Sequence, residues 1–169
     1  MSFACCVDTP DRDTYADVSS DPATEATGRP MNDDNLAREQ ASASGLRTLL
    51  GMVLTEWAPD RSLVEMEIAA HHLNRSGLLH GGILATLLDT ALGYAGCHAS
   101  QTGEVRRTLT LSLTTNFIAS VKAGRLRTEG RRTGGGKSIF FAEGEVRAAD
   151  GRLIATATGT FKYLASPLR

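Results

Sequence analysis

The clearest hydrophobic pattern in the chain is a helical one that begins at Ile83. Apolar residues recur there every three or four positions, the spacing that lines them along one side of an α-helix. The opposite arc holds small residues and one acid, so it lacks the broad charged face of a helix that meets water. We predict one long helix, buried nearly all round and ending near Ser100. The apolar side consists of Ile83, Leu84, Leu87, Leu88, Ala91 and Ala95, and the opposite arc of Ala85, Thr86, Asp89, Gly93 and Gly96.

Alternating apolar and polar residues, which indicate strands, flank this helix on both sides. Two segments before it, 49–57 and 62–70, are joined by a Pro-Asp turn and predict a hairpin. Four segments follow it, beginning near residues 108, 125, 138 and 153, and short turns link most of them. Short turns require antiparallel neighbours. The expected fold class is therefore α+β, with a six-stranded antiparallel sheet wrapped around one long central helix.

The first 35 residues differ in composition from the rest. They are rich in Asp, Thr, Ser and Pro and hold eight acidic against two basic side chains, although the whole chain has a formal net charge of −1. We interpret residues 1–35 as an acidic flexible arm and residues 36–169 as one domain. Asn35 is expected to cap a short helix that carries Leu36 and Leu46. The more basic remainder would favour an anionic ligand, although a solvated surface is by itself the better explanation of scattered arginines.

Composition restricts the class of protein. A hydrophobic content of 41% and a charged content of 22% are ordinary for a soluble globular protein. No window approaches ~18 consecutive apolar residues, and the N-terminus lacks the pattern of a secretory signal, so no membrane span is predicted. The cysteines Cys5, Cys6 and Cys97 have neither metal-ligand spacing nor a disulfide framework. We expect a cytoplasmic protein without a bound metal.

Asp89 is the residue of the predicted helix that most needs an explanation. A buried carboxylate is costly unless it has a partner or a task. Gly93 and Gly96 each cost about 1 kcal/mol relative to Ala inside a helix. Close approach by another backbone or a ligand explains all three residues, which favours a functional site. The alternative is an acid held by hydrogen bonds, with glycines that only allow tight packing.

The stretch Asn74–Gly82, with the sequence NRSGLLHGG, leads into this helix, and Asp89 follows nine residues after His80. These spacings and the strand order resemble the hotdog-fold acyl-CoA thioesterases, in particular the branch of phenylacetic-acid-degradation thioesterases. The resemblance covers about Gly45–Leu164. It implies a hotdog fold that hydrolyses acyl-CoA to a free carboxylic acid and coenzyme A, without metal or organic cofactor.

The resemblance also implies catalytic roles. Asp89 is the general base or the nucleophile, and the Gly81 N–H polarises the thioester carbonyl. An amide at a helix start is independently suited to a developing oxyanion. His80 and Asn74 orient the water, the thioester or the loop, and the Thr110 hydroxyl helps to hold the water. The residues alone leave His80 open as a support of the loop, Asn74 as a turn residue and Thr110 as an exposed threonine.

Basic residues around the hairpin that contains three consecutive glycines, 134–136, are candidates for the phosphates of coenzyme A by the same resemblance. They are Arg131, Arg132 and Lys137, with Ser138 and Gly82 as further substrate contacts. The stretch is not a P-loop, because it lacks the spacing G-x4-G-K-S/T followed by a helix. A solvated turn explains each basic residue equally well.

Three expectations concern partners and rival functions. The resemblance implies a homodimer, paired into a tetramer, in which Asp89 faces the Asn74–Gly82 loop of the neighbour. No helix-turn-helix precedes residue 45, so no nucleic-acid partner is expected. The rival functions are a hotdog dehydratase or hydratase, whose motifs are absent, and a non-catalytic acyl-CoA-binding or sensing domain, against which the retained Asp89 argues.

Overall fold

The computed structural model describes residues 33–98 and 106–164. The predicted arm lies almost wholly outside these residues, as do Cys5, Cys6 and Ser100, so its interpretation stays a prediction. The described residues form three α-helices, a short 3₁₀ turn at Ala70–His72 and six strands. The helices are α1 (Asp33–Ala41), α2 (Gly45–Leu49) and α3 (Gly81–Cys97), and the strands are β1 (Met52–Ala58), β2 (Arg61–Glu67), β3 (Thr108–Phe117), β4 (Arg125–Gly135), β5 (Ile139–Ala148) and β6 (Leu153–Tyr163).

The strands form one antiparallel sheet in the order β1-β2-β4-β5-β6-β3. The predicted hairpins β1–β2 and β5–β6 are present, and their turns contain Asp60 and Gly151 at positive φ of 61° and 82°. The turn at 122–124 does not join neighbours, contrary to the expectation from short turns, because β3 pairs with β6 at the far edge of the sheet. The predicted α+β class, with one long helix against a six-stranded antiparallel sheet, is confirmed.

Helix α3 packs against one face of the sheet and forms the core with it. Its fully buried leucines, Leu87, Leu88 and Leu92, are 0% exposed. Near the middle of the helix, the Ala91 carbonyl accepts a hydrogen bond of 2.7 Å from the Ser62 hydroxyl. The core therefore fixes both the depth and the rotation of α3. No helix in the described residues has the length and hydropathy needed to span a bilayer.

The expectation that α3 is buried all round is wrong for the single chain. Ala85, Thr86, Asp89 and Gly93 are only half-buried, since the sheet ends at the edge strand β3 beside this arc. Gly96, in contrast, is buried, and the Phe140 ring occupies the place of its missing side chain. The close approach that we expected at the glycines is therefore real at one end of the arc, while the other end lies open.

The helix predicted after the acidic arm is two short helices. α1 begins at Asp33, so Asn35 lies inside it instead of capping it. Leu46 belongs to α2, whose N-cap Ser44 accepts a hydrogen bond of 3.3 Å from the Arg47 N–H. A polar residue that can cap, placed between the two apolar segments, ends the first helix and starts the second.

α1 and α2 cover β1 and the C-terminal part of α3. The Gln40 amide donates to the Leu54 carbonyl at 2.7 Å. The Tyr94 hydroxyl donates to Glu39 at 2.6 Å and accepts from Arg47 at 2.7 Å. Burial, and then the hydrogen bond to Glu39, raises the pKa of Tyr94. The β1 edge of the sheet is therefore covered by helix, which leaves β3 as the open edge of the described chain.

The first part of β3 places its polar side chains on the helix side, whereas Leu113, beyond a bulge, packs against the core. Thr108 and Thr110 face α3, whereas Leu109 and Leu111 are 54% and 51% exposed. A bulge between Thr110 and Ser112 changes the register with β6. A strand that exposes two leucines at an unpaired edge has the features of a surface that another chain covers.

Candidate active site

The loop before α3 is built around the side chain of Asn74. Its Oδ1 accepts hydrogen bonds from the Ser76 N–H at 2.9 Å and the Leu78 N–H at 3.2 Å. Gly77 provides the positive φ, 71°, that the turn requires. These bonds favour the interpretation of Asn74 as the residue that shapes the turn, and its direct contact with substrate stays a prediction.

His80 is the N-cap of α3. Its Nδ1 accepts a hydrogen bond of 2.9 Å from the Gly82 N–H, and its own backbone N–H donates to the His72 carbonyl at 2.9 Å. A neighbouring backbone bond joins the Leu79 N–H to the Val121 carbonyl at 2.8 Å. The imidazole is exposed beyond its capping nitrogen. His80 therefore fixes the start of the helix and leaves its other ring nitrogen at the surface.

Gly81 is the first residue of α3, and its backbone N–H, unlike that of Gly82, is available to a ligand. The first N–H groups of a helix have no partner within the helix. His80 takes the Gly82 N–H, and no acceptor outside the helix contacts the Gly81 N–H among residues 33–98 and 106–164. The positive end of the helix dipole adds to this site. Gly81 thus presents the uncommitted donor that an oxyanion requires, and Gly82 does not.

Asp89 receives a hydrogen bond of 2.7 Å from the Thr110 hydroxyl to its Oδ1. The carboxylate is half-buried, and in the described part of the chain no cation lies within ion-pair distance of it. The structure thus brings together two residues that lie 21 positions apart in the sequence. Thr110 orients one oxygen, which leaves the other oxygen of Asp89 available to a water or a substrate.

Replacing Thr110 by valine tests this orientation. We expect kcat for thioester hydrolysis to fall about ten- to a hundredfold, because a hydrogen bond to a charged group is worth about 1.5–3 kcal/mol. Thr110→Ser keeps the hydroxyl and is the matched control, which should retain most of the activity. The measurement is steady-state release of free thiol. Equal activity of the valine and serine variants would mean that the hydroxyl does not orient Asp89 for the reaction.

The candidates for contact with the phosphates of coenzyme A lie on β4 and in the β4–β5 turn, not on α3 beside Asp89. Arg131 projects from the face of the sheet opposite α3 and pairs with Glu143. Arg132 pairs with Asp60 at 3.0 Å and so joins β4 to the β1–β2 turn. Lys137 and Ser138 lie in the exposed β4–β5 turn, where Lys137 has no ion-pair partner among the described residues. Lys137 is consequently the best of these candidates for a phosphate, and all four assignments stay predictions.

His72 is a residue of this region that the sequence did not indicate. It is 2% exposed, its Nδ1 accepts a hydrogen bond of 3.0 Å from the Ala69 N–H, and its carbonyl holds the His80 N–H. Burial, and then the neighbouring His71, lowers the pKa of His72. The only sequence cue was a histidine pair shortly before the loop, which is too common a pattern to select. His72 supports the loop from within the core.

The well-defined concavities of the described chain lie away from Asp89. Three of these, of about 390, 380 and 300 Å³, lie on the face of the sheet opposite α3. A fourth, of about 370 Å³, lies beside the loop and is lined by Leu78, Lys122 and Arg152 among others. Asp89 and Gly81 line none of the four. None of these four concavities therefore encloses a ligand at Asp89.

Comparison with known proteins identifies the family of this arrangement. The profile of the family described as the thioesterase superfamily matches residues 76–155, which contain Gly81, Asp89 and Thr110. The chain is 32% identical over 121 residues to the Pseudomonas aeruginosa protein named "Putative esterase PA0474", covering 70% of this chain and 88% of that protein. The chain belongs to the thioesterase superfamily. Its sheet-and-helix architecture is accordingly the hotdog fold.

Two further relatives of this thioesterase-superfamily chain carry more specific names. A segment of 44 residues is 41% identical to mouse acyl-coenzyme A thioesterase 13, which is 26% of this chain and 31% of that protein. The solved structure of a mutant of the phenylacetic acid degradation protein PaaI from Thermus thermophilus is 28% identical, with a TM-score of 0.62 over 72% of this chain and 100% of that one. The Pseudomonas aeruginosa and mouse relatives are thus named as an esterase and a thioesterase, which supports a hydrolase.

Proposed function

We propose that the protein hydrolyses acyl-CoA thioesters to a free carboxylic acid and coenzyme A. The observation that carries this proposal is the Asp89 carboxylate, which Thr110 orients at 2.7 Å on the open arc of a helix whose first amide is uncommitted. The mouse relative, named as an acyl-coenzyme A thioesterase, supports the choice of substrate. Residues 36–169 form the catalytic unit in this proposal, and residues 1–35 are an appended acidic arm.

The chemistry follows from these two groups. Asp89 removes a proton from a water molecule as the water oxygen attacks the thioester carbonyl carbon. The carbonyl oxygen becomes negative and is stabilised by the Gly81 N–H at the positive end of α3. The carbon–sulfur bond then breaks, and the thiolate of coenzyme A leaves and is protonated. Direct attack by the Asp89 oxygen, which forms an anhydride that water then cleaves, is the alternative route to the same products.

The two groups cannot serve one thioester within a single chain. Gly81 and Asp89 are eight residues apart on one helix, so at ~1.5 Å rise per residue they are about 12 Å apart along its axis. The oxyanion donor and the attacking water must both lie within about 3 Å of the same carbonyl group. We therefore assign the site to two copies of the chain, with Asp89 of one copy facing the Gly81 loop of the other.

The open β3 edge provides the surface for this second copy. It exposes Leu109 and Leu111 beside the half-buried arc of α3, whereas α1 covers the β1 edge. A homodimer that joins at β3 would bury these leucines and close the arc around Asp89. The proposed tetramer is a pair of such dimers and depends on the family resemblance.

Replacing Leu111 by lysine tests the dimer. We expect the mass in solution, measured by light scattering after size exclusion, to fall to that of one chain, and thiol release to fall with it, since a charged side chain disfavours a buried edge. Val53→Lys is the matched control, because Val53 is 47% exposed on β1 at the opposite edge. A monomeric wild type that is fully active would contradict the shared site.

The release of free thiol from a panel of acyl-CoA thioesters tests the function itself. The panel runs from acetyl to medium aliphatic and aromatic acyl groups, because an apolar pocket lined by the small residues of α3 suits the larger ones. Thiol release by the wild type, and release at least about a hundredfold slower by Asp89→Asn, is the expected result. Tight acyl-CoA binding without release by the wild type would instead support a binding or sensing domain.

A further inference from the structure

Phe117, the last residue of β3, lies directly beside Gly81. Its Cε1 and Cζ atoms are 3.4 Å from the position that a Cβ on Gly81 would occupy. Phe117 pairs across the sheet with the fully buried Ala155, so its ring projects from the side of the sheet that carries α3. Because Gly81 has no side chain, the ring edge approaches the backbone that carries the uncommitted amide.

Core packing does not account for this ring. In the single chain Phe117 is 59% exposed, at the end of the strand whose edge the proposed second copy contacts. Phe140 and Phe161, which stack beneath α3 with centroids 4.9 Å apart, are 0% and 1% exposed. Ile118, the next residue, is also exposed. A large apolar surface next to an unpaired hydrogen-bond donor is typical of ligand sites, where apolar walls surround a few polar groups.

The geometry points to Phe117 as the residue that selects the acyl group, an inference that rests on the proposed thioesterase function. A thioester whose oxygen is bound to the Gly81 N–H places the first carbons of its acyl chain beside the ring. An aromatic acyl group packs on the exposed ring face and gains from ring–ring contact, whereas an acetyl group is too short to cover it. Phe117 therefore favours aromatic over short aliphatic acyl groups.

The test compares two substrates that share coenzyme A and differ in the acyl group. We measure kcat/KM by thiol release for phenylacetyl-CoA and acetyl-CoA in the wild type and in Phe117→Ala. The ratio of the two values should fall about tenfold in the variant, the size expected for loss of an aromatic contact. The ratio cancels any loss that the two substrates have in common. Phe117→Tyr keeps the ring and should keep the ratio.

Phe141→Ala is the matched control. Phe141 is 50% exposed, a fraction close to that of Phe117, but it lies between the buried Phe140 and Ala142 on β5 and so projects from the opposite face of the sheet. The ratio of kcat/KM values in Phe141→Ala should equal that of the wild type.

An unchanged ratio in Phe117→Ala would overturn the inference. An equal loss for both substrates together with a lower mass in solution would also overturn it, because the ring would then lie between two copies of the chain. A wild type that releases thiol from no acyl-CoA would overturn the proposed function, and this inference with it.

Discussion

The substitution Asp89→Asn should lower kcat for acyl-CoA hydrolysis by a factor of about 10² to 10⁴, the range found when a general base is lost. The change replaces one carboxylate oxygen by an amide nitrogen of nearly the same size. The amide side chain would still accept the Thr110 hydroxyl through its remaining oxygen, since that hydroxyl is 2.7 Å from Oδ1 in the wild type. It cannot take a proton from water or attack a carbonyl. The fall should therefore be in kcat, with KM little changed.

Two controls separate this loss from damage to the fold. The thermal midpoint of Asp89→Asn should match that of the wild type, because Asp89 has no ion pair in the described chain that the change would break. Glu67→Gln removes a carboxylate that is 65% exposed on β2, where it pairs with Arg125 at 3.8 Å, and should leave kcat unchanged. A wild-type kcat in Asp89→Asn would remove Asp89 from the mechanism.

Much of the fold was predictable because local pattern and tertiary structure agree. The helical spacing from Ile83 is confirmed by α3, and the turn residues Asp60 and Gly151 adopt the positive φ that the predicted hairpins require. The bond between Thr110 and Asp89 did not follow from local pattern, which left Thr110 as an exposed threonine, and only the family resemblance placed its hydroxyl at the site. Sequence pattern suffices where one element alone determines which side chains are buried.

The remaining errors have one physical cause. The hydrophobic periodicity of a helix or strand does not show which other elements pack against it. The arc around Asp89 resembles a buried face in sequence, but in the single chain it lies half-open at the edge of the sheet. Arg131 and Arg132 are adjacent in sequence, yet the alternation along β4 points them to opposite faces, and each has a different acidic partner. Phe117 went unnoticed because its contact with Gly81 joins residues far apart in the chain.

The substitution Gly81→Pro should abolish most of the activity by removing one amide hydrogen. Proline is favoured at the first position of a helix, where its missing N–H breaks no internal bond. His80 already has the extended backbone, φ −67° and ψ 131°, that a residue before proline requires. The nearest atoms to an added Cβ, those of Phe117, are at an ordinary 3.4 Å. The helix should therefore form unchanged, while the developing oxyanion loses its donor and kcat falls about 10²- to 10³-fold.

The thermal stability of Gly81→Pro separates the loss of the amide hydrogen from damage to the fold. A proline that fits the native backbone stabilises a protein by about 0.4–1 kcal/mol through the unfolded chain, so the thermal midpoint should stay the same or rise as kcat falls. Gly81→Ala adds the same Cβ but keeps the N–H, and its kcat should lie close to that of the wild type. If the alanine and proline variants lose activity equally, crowding at Phe117 is responsible. If the proline variant keeps the wild-type kcat, the thioester oxygen is bound by another donor, because an amide without hydrogen cannot stabilise it.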